Sequence, residues 1–266
     1  MGPCSGCFHN DIYNVLTIPE YFQVGNSLSA NIVTKYLGEE GLSGTLPKCV
    51  AGGAALGNPL VMHVNNLSFP WKEILALGIK KDLLLNWKYF RHMMTVPSFR
   101  SSIFQTLKAQ DIGHVDEGLA PIFIRNESVY PFAVRIGFKD AHDYWANSES
   151  FKFIKHINVP CLQIVASDDV ICYKSFQKKL CHCIQNPFVM CVETKCGGHL
   201  GWQESPPDSN AFGVGPSWAD RATADFFGAI LKSGNYGQKA TQQPSLEARQ
   251  GDDSTSGETP RFRSKL

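Results

Sequence analysis

Four short apolar runs punctuate the chain, at 21–24, 49–55, 161–166 and 188–192. Uninterrupted runs of this length, without polar alternation, suit strands buried on both faces. Segments of helical period lie between and after them. The first, 29–37, carries Ile32, Val33, Tyr36 and Leu37 and is expected to end near Gly38 and Gly41. The others are 175–183 and 219–231, the latter with Phe226, Phe227, Ile230 and Leu231 on one face. Strand–helix alternation predicts an α/β fold, a mostly parallel sheet of about four strands flanked by helices. Residues 60–158, between the second and third strands, are too many for a βα loop and carry their own apolar content. They are expected to be mostly helical over 71–110 and to form a cap over the strand ends. Within that cap, Trp87, Tyr89, Phe90 and Phe99 read as cap core, with the lining of a lipophilic pocket as the alternative. From about 235 to 266 large apolar residues nearly vanish, which predicts a disordered tail. The domain is therefore expected over 19–234, with 1–18 unassigned.

Composition narrows the function classes. The chain has 266 residues, 43% hydrophobic, with 25 Lys+Arg against 24 Asp+Glu and a net charge of +1. No basic field is present to hold nucleic acid, and the charge pattern lends no support to use of the cap at a lipid interface. No apolar stretch approaches the ~20 residues of a membrane span, and the first residues lack a secretory signal. Nine cysteines, an odd count, suit reduced thiols. Together these predict a cytoplasmic protein. Cys4-x-x-Cys7 with His9, and Cys181-His182-Cys183, imitate metal ligands but do not come as paired sets, so no metal is expected. The sequons at Asn66 and Asn126 carry no weight without a secretory signal.

The chemistry concentrates in three places. The first strand runs through Gly25-Asn26-Ser27-Leu28-Ser29 directly into a helix. A nucleophile elbow needs this layout, a tight strand-to-helix turn that holds Ser27 Oγ clear of the backbone between small residues. Ser29 stands where a second glycine is usual. Leu28 would offer its backbone N–H to an oxyanion at the head of a helix, where the dipole favours negative charge. Past the third strand come Asp168 and Asp169, and past the fourth comes His199 in Gly197-Gly198-His199-Leu200-Gly201-Trp202. The order Ser, Asp, His is that of α/β-hydrolases, and ligands of open parallel sheets sit at these strand ends. A neutral imidazole can take the serine proton, and a carboxylate can fix its tautomer. These residues leave open which of the two aspartates serves.

With these motifs the chain resembles the α/β-hydrolase branch of embryogenesis-associated proteins, YheT-type bacterial esterases and abhydrolase-domain lipases. The shared stretches are 25–32, 36–41, Asn58-Pro59, Gly137-Phe138, Asp143-Tyr144-Trp145 with Ser148, 157–160, Asp168-Asp169 and 197–202, in order over roughly 20–232. The resemblance implies Ser27 as nucleophile, Asp169 as acid and His199 as base, with no metal or organic cofactor. It implies a serine hydrolase of carboxylic esters, with acyl or lipid esters as substrates, that works through an acyl-enzyme in lipid metabolism. It also implies that the family's N-terminal half is missing, since about 26 residues precede Ser27. The strand at 21–24 would then be a bare sheet edge open to self-association. The alternative reading is a truncated, catalytically impaired hydrolase or pseudoenzyme that acts as a binding protein.

Overall fold

The computed structural model describes residues 20–62, 66–67, 69–123, 140–204 and 217–234. The 1–18 segment, the 235–266 tail, Gly137-Phe138, the Asn126 sequon and Cys4, Cys7 and His9 lie outside the described residues. Four strands, β1 (Tyr21–Asn26), β2 (Val50–Leu56), β3 (Cys161–Ala166) and β4 (Val189–Thr194), make one sheet in the order β1-β2-β3-β4. Every neighbouring pair is parallel. The register sets Asn26 beside Leu56 and Ala166 beside Thr194, so the C-terminal strand ends form one rim.

Both faces of the sheet are covered, as the apolar runs require. β3 shows the division by alternate residues. Cys161 and Val165 enter a core with Leu37 of α1 (Leu28–Ser43) and Phe176 and Cys183 of α7 (Tyr173–Ile184). Leu162, Ile164 and Ala166 pack with Trp202 and with Ala219, Phe226 and Phe227 of α8 (Trp218–Ser233). Ser217 and Asp220 start α8 with a reciprocal capping box, satisfying two amides that the helix itself leaves unbonded. Phe22 of β1 stacks on Phe227 at 4.2 Å, tying the first strand to the same helix.

The expected end of α1 near Gly38 and Gly41 is corrected, because the helix continues to Ser43. Those glycines serve close approach. A Cβ at Gly38 would stand 2.4 Å from Phe153 O, and one at Gly41 would stand 2.1 Å from His156 O. The helix stops instead at Gly44, whose φ of 70° is left-handed.

The segment between β2 and β3 is helical, with α2 (Trp71–Leu85), α3 (Trp87–Phe90), a 3-10 turn at Arg91–Thr95, α4 (Pro97–Lys108), α5 (Ile112–Phe123) and α6 (Ala141–Ser148). Its own small core joins Ala76, Ala109 and Val115. Asn31 of α1 anchors the far end of the segment, bonding Ser148 O and the Ser150 amide. The four aromatics do not form a single cap core. Phe99 is buried and Phe90 half-buried, whereas Trp87 and Tyr89 face outward. Among the described residues, Ala76 is the buried residue of α2, and no buried leucine of that helix draws those two rings inward. Among the described residues, no helix is long and apolar enough to cross a membrane.

Candidate active site

Ser27 sits between the last residue of β1 and the first of α1, at φ 55° and ψ −119°. This conformation costs a side-chain-bearing residue on the order of 1–3 kcal/mol and needs its surroundings to hold it. The surroundings do so. The Ser27 amide donates to Leu56 O at 2.8 Å, and its carbonyl accepts from the Ala30 and Asn31 amides. Gly25 has no alternative here, because a Cβ would lie 2.3 Å from Ser29 O. Ser29 is exposed, so its hydroxymethyl group meets no such obstacle. Leu28 is the first residue of α1, and its amide has no acceptor one turn earlier in the helix.

Asp169 follows β3 and its side chain is fully buried. One carboxylate oxygen accepts from the Ile171 and Cys172 amides at 2.8 and 2.9 Å. The other stands 2.9 Å from His199 Nδ1. A carboxylate can only accept, so Nδ1 carries the proton and Nε2 is left as the acceptor. Ser27 Oγ lies 2.7 Å from that Nε2 and donates to it. Serine, histidine and one aspartate thus form a continuous hydrogen-bonded relay across the rim of the sheet.

The structure separates the two aspartates. Asp168 is exposed and turns toward the histidine loop, accepting from the Gly198 amide at 2.8 Å and from Gly197 at 3.4 Å. That loop folds back through Gly201 and Trp202 amides onto Gly197 O. It is stitched to the strands by Ser167 Oγ on Lys195 O and by Trp202 Nε1 on Thr194 Oγ1.

Several site-supporting residues carried a weaker signal in the sequence. Gln163 is polar within an apolar strand run, and in the fold it meets Asn58 and Thr34 in a buried triangle of hydrogen bonds. Asn58 in turn accepts the Leu60 amide and fixes the turn that leaves β2. Gly57, at φ 60°, lets that turn pass the histidine, since a Cβ there would lie 2.8 Å from His199 O.

Asp169, Cys172 and His199 place their ligand atoms within 4.8 Å of one another, the geometry of a conceivable metal triad. The donor set does not suit an ion. Asp169 is committed to three hydrogen bonds, and burial with the Asp169 charge pushes the Cys172 thiol up, which keeps it protonated. Burial likewise pushes the Cys161 thiol up to about 12. In the other apparent metal motif, Cys181 is exposed while Cys183 is buried, so the two thiols face opposite ways.

No family model matches the chain. Among curated proteins it is 28% identical to embryogenesis-associated protein EMB8 of Picea glauca, over 80% of this chain and 43% of that protein. It is 27% identical to a monoacylglycerol lipase of Saccharomyces cerevisiae, over 73% of this chain and 40% of that one. With monoacylglycerol lipase ABHD2 of Homo sapiens the identity is 24%, over 85% of this chain and 52% of the relative. The chain is thus similar to proteins of the α/β-hydrolase superfamily, an abhydrolase domain-containing protein of Dictyostelium discoideum among them. It spans about half the length, or somewhat less, of these curated relatives. The described sheet holds the strand that leads into Ser27 and the three strands that follow it.

Proposed function

We propose that the chain is a serine hydrolase of carboxylic esters, with acyl or lipid esters as its substrates. The observation that carries this is the relay from Ser27 Oγ to His199 Nε2 at 2.7 Å and from His199 Nδ1 to Asp169 at 2.9 Å. Two of the relatives are named monoacylglycerol lipases, which supports a lipid ester as the substrate class.

Ser27 is the nucleophile in this reading. As Oγ bonds to the ester carbonyl carbon, its proton passes to His199 Nε2, and the carbonyl oxygen becomes an oxyanion facing the Leu28 amide. Collapse breaks the bond to the alcohol, which leaves with the proton that His199 held. A water then attacks the Ser27 acyl ester, giving its proton to His199. Collapse releases the carboxylic acid and restores the serine. Asp169, buried and acting only as an acceptor, holds the imidazole with Nδ1 protonated and stabilises the imidazolium in both halves. The seven described cysteines are all free thiols, which suits a cytoplasmic setting.

Labelling of purified, size-fractionated protein with a fluorophosphonate probe tests the reading. Labelling that Ser27→Ala and His199→Ala both abolish is the expected result. A cooperatively folded protein that stays unlabelled would overturn ester hydrolysis and favour a binding role for the fold.

A further inference from the structure

We propose that the outer face of α2, with the turn that follows it, docks onto an anionic lipid surface. The helix is packed in an unusual sense. Of its 15 residues only Ala76 is buried. The inner side is held by Ala76 and Ile79 against Ile112 and Val115, and by cationic residues. Lys80 Nζ donates to Ala109 O at 2.7 Å, and Lys72 pairs with Asp111 at 3.6 Å.

The large apolar residues point the other way. At 100° per residue, Ile74, Leu77, Leu84 and Leu85 share one arc of the helix, with Lys81 among them. Leu77, Leu84 and Leu85 are 65%, 60% and 66% exposed, and Tyr89 just beyond the helix is 66% exposed. Leucines gathered on an outer face mark an interaction surface. Ordinary solvated helices carry their apolar stripe inward.

The charges read along the chain give the cap no support at a lipid interface. The fold changes that by grouping exposed Lys81, Lys88 and Arg91 beside the leucines, and this placement with the aromatics selects the occupant. Trp87 and Tyr89 follow directly on the leucines, and both ring types favour the level of lipid headgroups. Lys81, Lys88 and Arg91 are exposed around them, and Lys88 Nζ stands 4.8 Å above the Tyr89 ring. An apolar stripe with aromatics and interspersed cations suits an interface of acyl chains beneath anionic headgroups. A second copy fits less well. Burying this stripe against another copy would strip water from Lys81, which lies among the leucines.

Co-flotation of the purified Ser27→Ala chain with vesicles tests the surface without turnover, so its outcome is independent of ester hydrolysis. Phosphatidylcholine vesicles are compared with phosphatidylcholine–phosphatidylserine vesicles. Binding is expected to favour the anionic vesicles by at least about tenfold and to fall about fivefold for each charge removed in Lys81→Gln and Lys88→Gln. The paired exposed substitutions Leu84→Asp and Leu85→Asp are expected to lower it at least about tenfold. Equal binding by the Asp-substituted protein would overturn the proposal. So would a folded protein that binds neither vesicle. A dimer lost on the same substitutions, without vesicle binding, would assign the face to a second copy instead.

Discussion

At the scale of single residues, the two adjacent aspartates differ by what their oxygens touch. Asp169 holds the imidazole and is fully buried, whereas Asp168 holds the backbone of the loop that carries the imidazole. Replacing each gives different outcomes. Asp169→Asn presents an amide where Nδ1 needs an acceptor, and favours the wrong tautomer. It is expected to lower kcat by roughly 10⁴-fold with KM little changed. Asp168→Ala frees two loop amides but leaves the relay chemistry intact, so a loss of about ten- to a hundredfold is expected. Asp168→Asn, which keeps one acceptor for Gly198, should recover part of it. Ester hydrolysis kinetics on the four proteins check this. A larger loss from Asp168→Ala than from Asp169→Asn would reverse the assignment of the acid. The elbow was legible because its requirement is local, a small residue where Gly25 would otherwise strike Ser29 O. The residues by themselves did not choose between the aspartates, because neighbours in sequence leave a loop in opposite directions; the resemblance implied Asp169, and in the fold it is Asp169 that meets the histidine.

At the scale of elements, the strands were readable because parallel strands are buried on both faces and so read as unbroken apolar runs. All four expected runs fall within a residue or two of β1 to β4. Helix ends were harder. Gly38 and Gly41 look like stop signals, yet they sit inside α1 because the 3-10 segment at 150–156 needs room for its carbonyls. A glycine that ends a helix and one that admits a neighbour are the same letter, and the distinction depends on chain a hundred residues away. Edge character, in contrast, shows as exposure. β1 has β2 as its only strand neighbour among the described residues, and Tyr21 and Val24 are about half exposed. Unpaired strand groups beside exposed apolar side chains favour pairing with a second copy. Sedimentation velocity across a concentration series is expected to show a dimer that Val24→Lys weakens and that the α2 substitutions leave alone. A monomer at every concentration would remove edge pairing as a property of this chain.

At the scale of the whole molecule, the sheet with its two helical faces and the helical segment above it have separate cores, and the second one carries a pH-dependent charge. The sheet is built from large apolar contacts on both sides. The helical segment relies on small clusters around Ala76, Val115 and Trp145. In the last of these, Asp116 of α5 accepts the Trp145 indole N–H at 2.8 Å, and burial raises its carboxyl to about 6 from an ordinary 3.8. No periodicity could have shown this, since Asp116 and Trp145 are brought together only by the packing of α5 on α6. The sign follows from linkage. The folded protein holds the Asp116 proton more tightly than the unfolded chain, so its contribution to stability is fullest below pH ~4 and declines as pH rises through about 6. Above that pH the buried carboxylate costs up to about 3 kcal/mol, because holding the proton up to about pH 6 is worth about 1.4 kcal/mol for each pH unit above the ordinary 3.8. Asp116→Asn keeps an acceptor for the indole and removes the charge. Its denaturant midpoint should therefore exceed that of the parent protein at pH 7.5, and the gap should close as pH approaches 4. A gap that stays constant over that range would mean that Asp116 is solvated in the folded chain, and that the α5–α6 junction is looser than the Trp145 hydrogen bond implies.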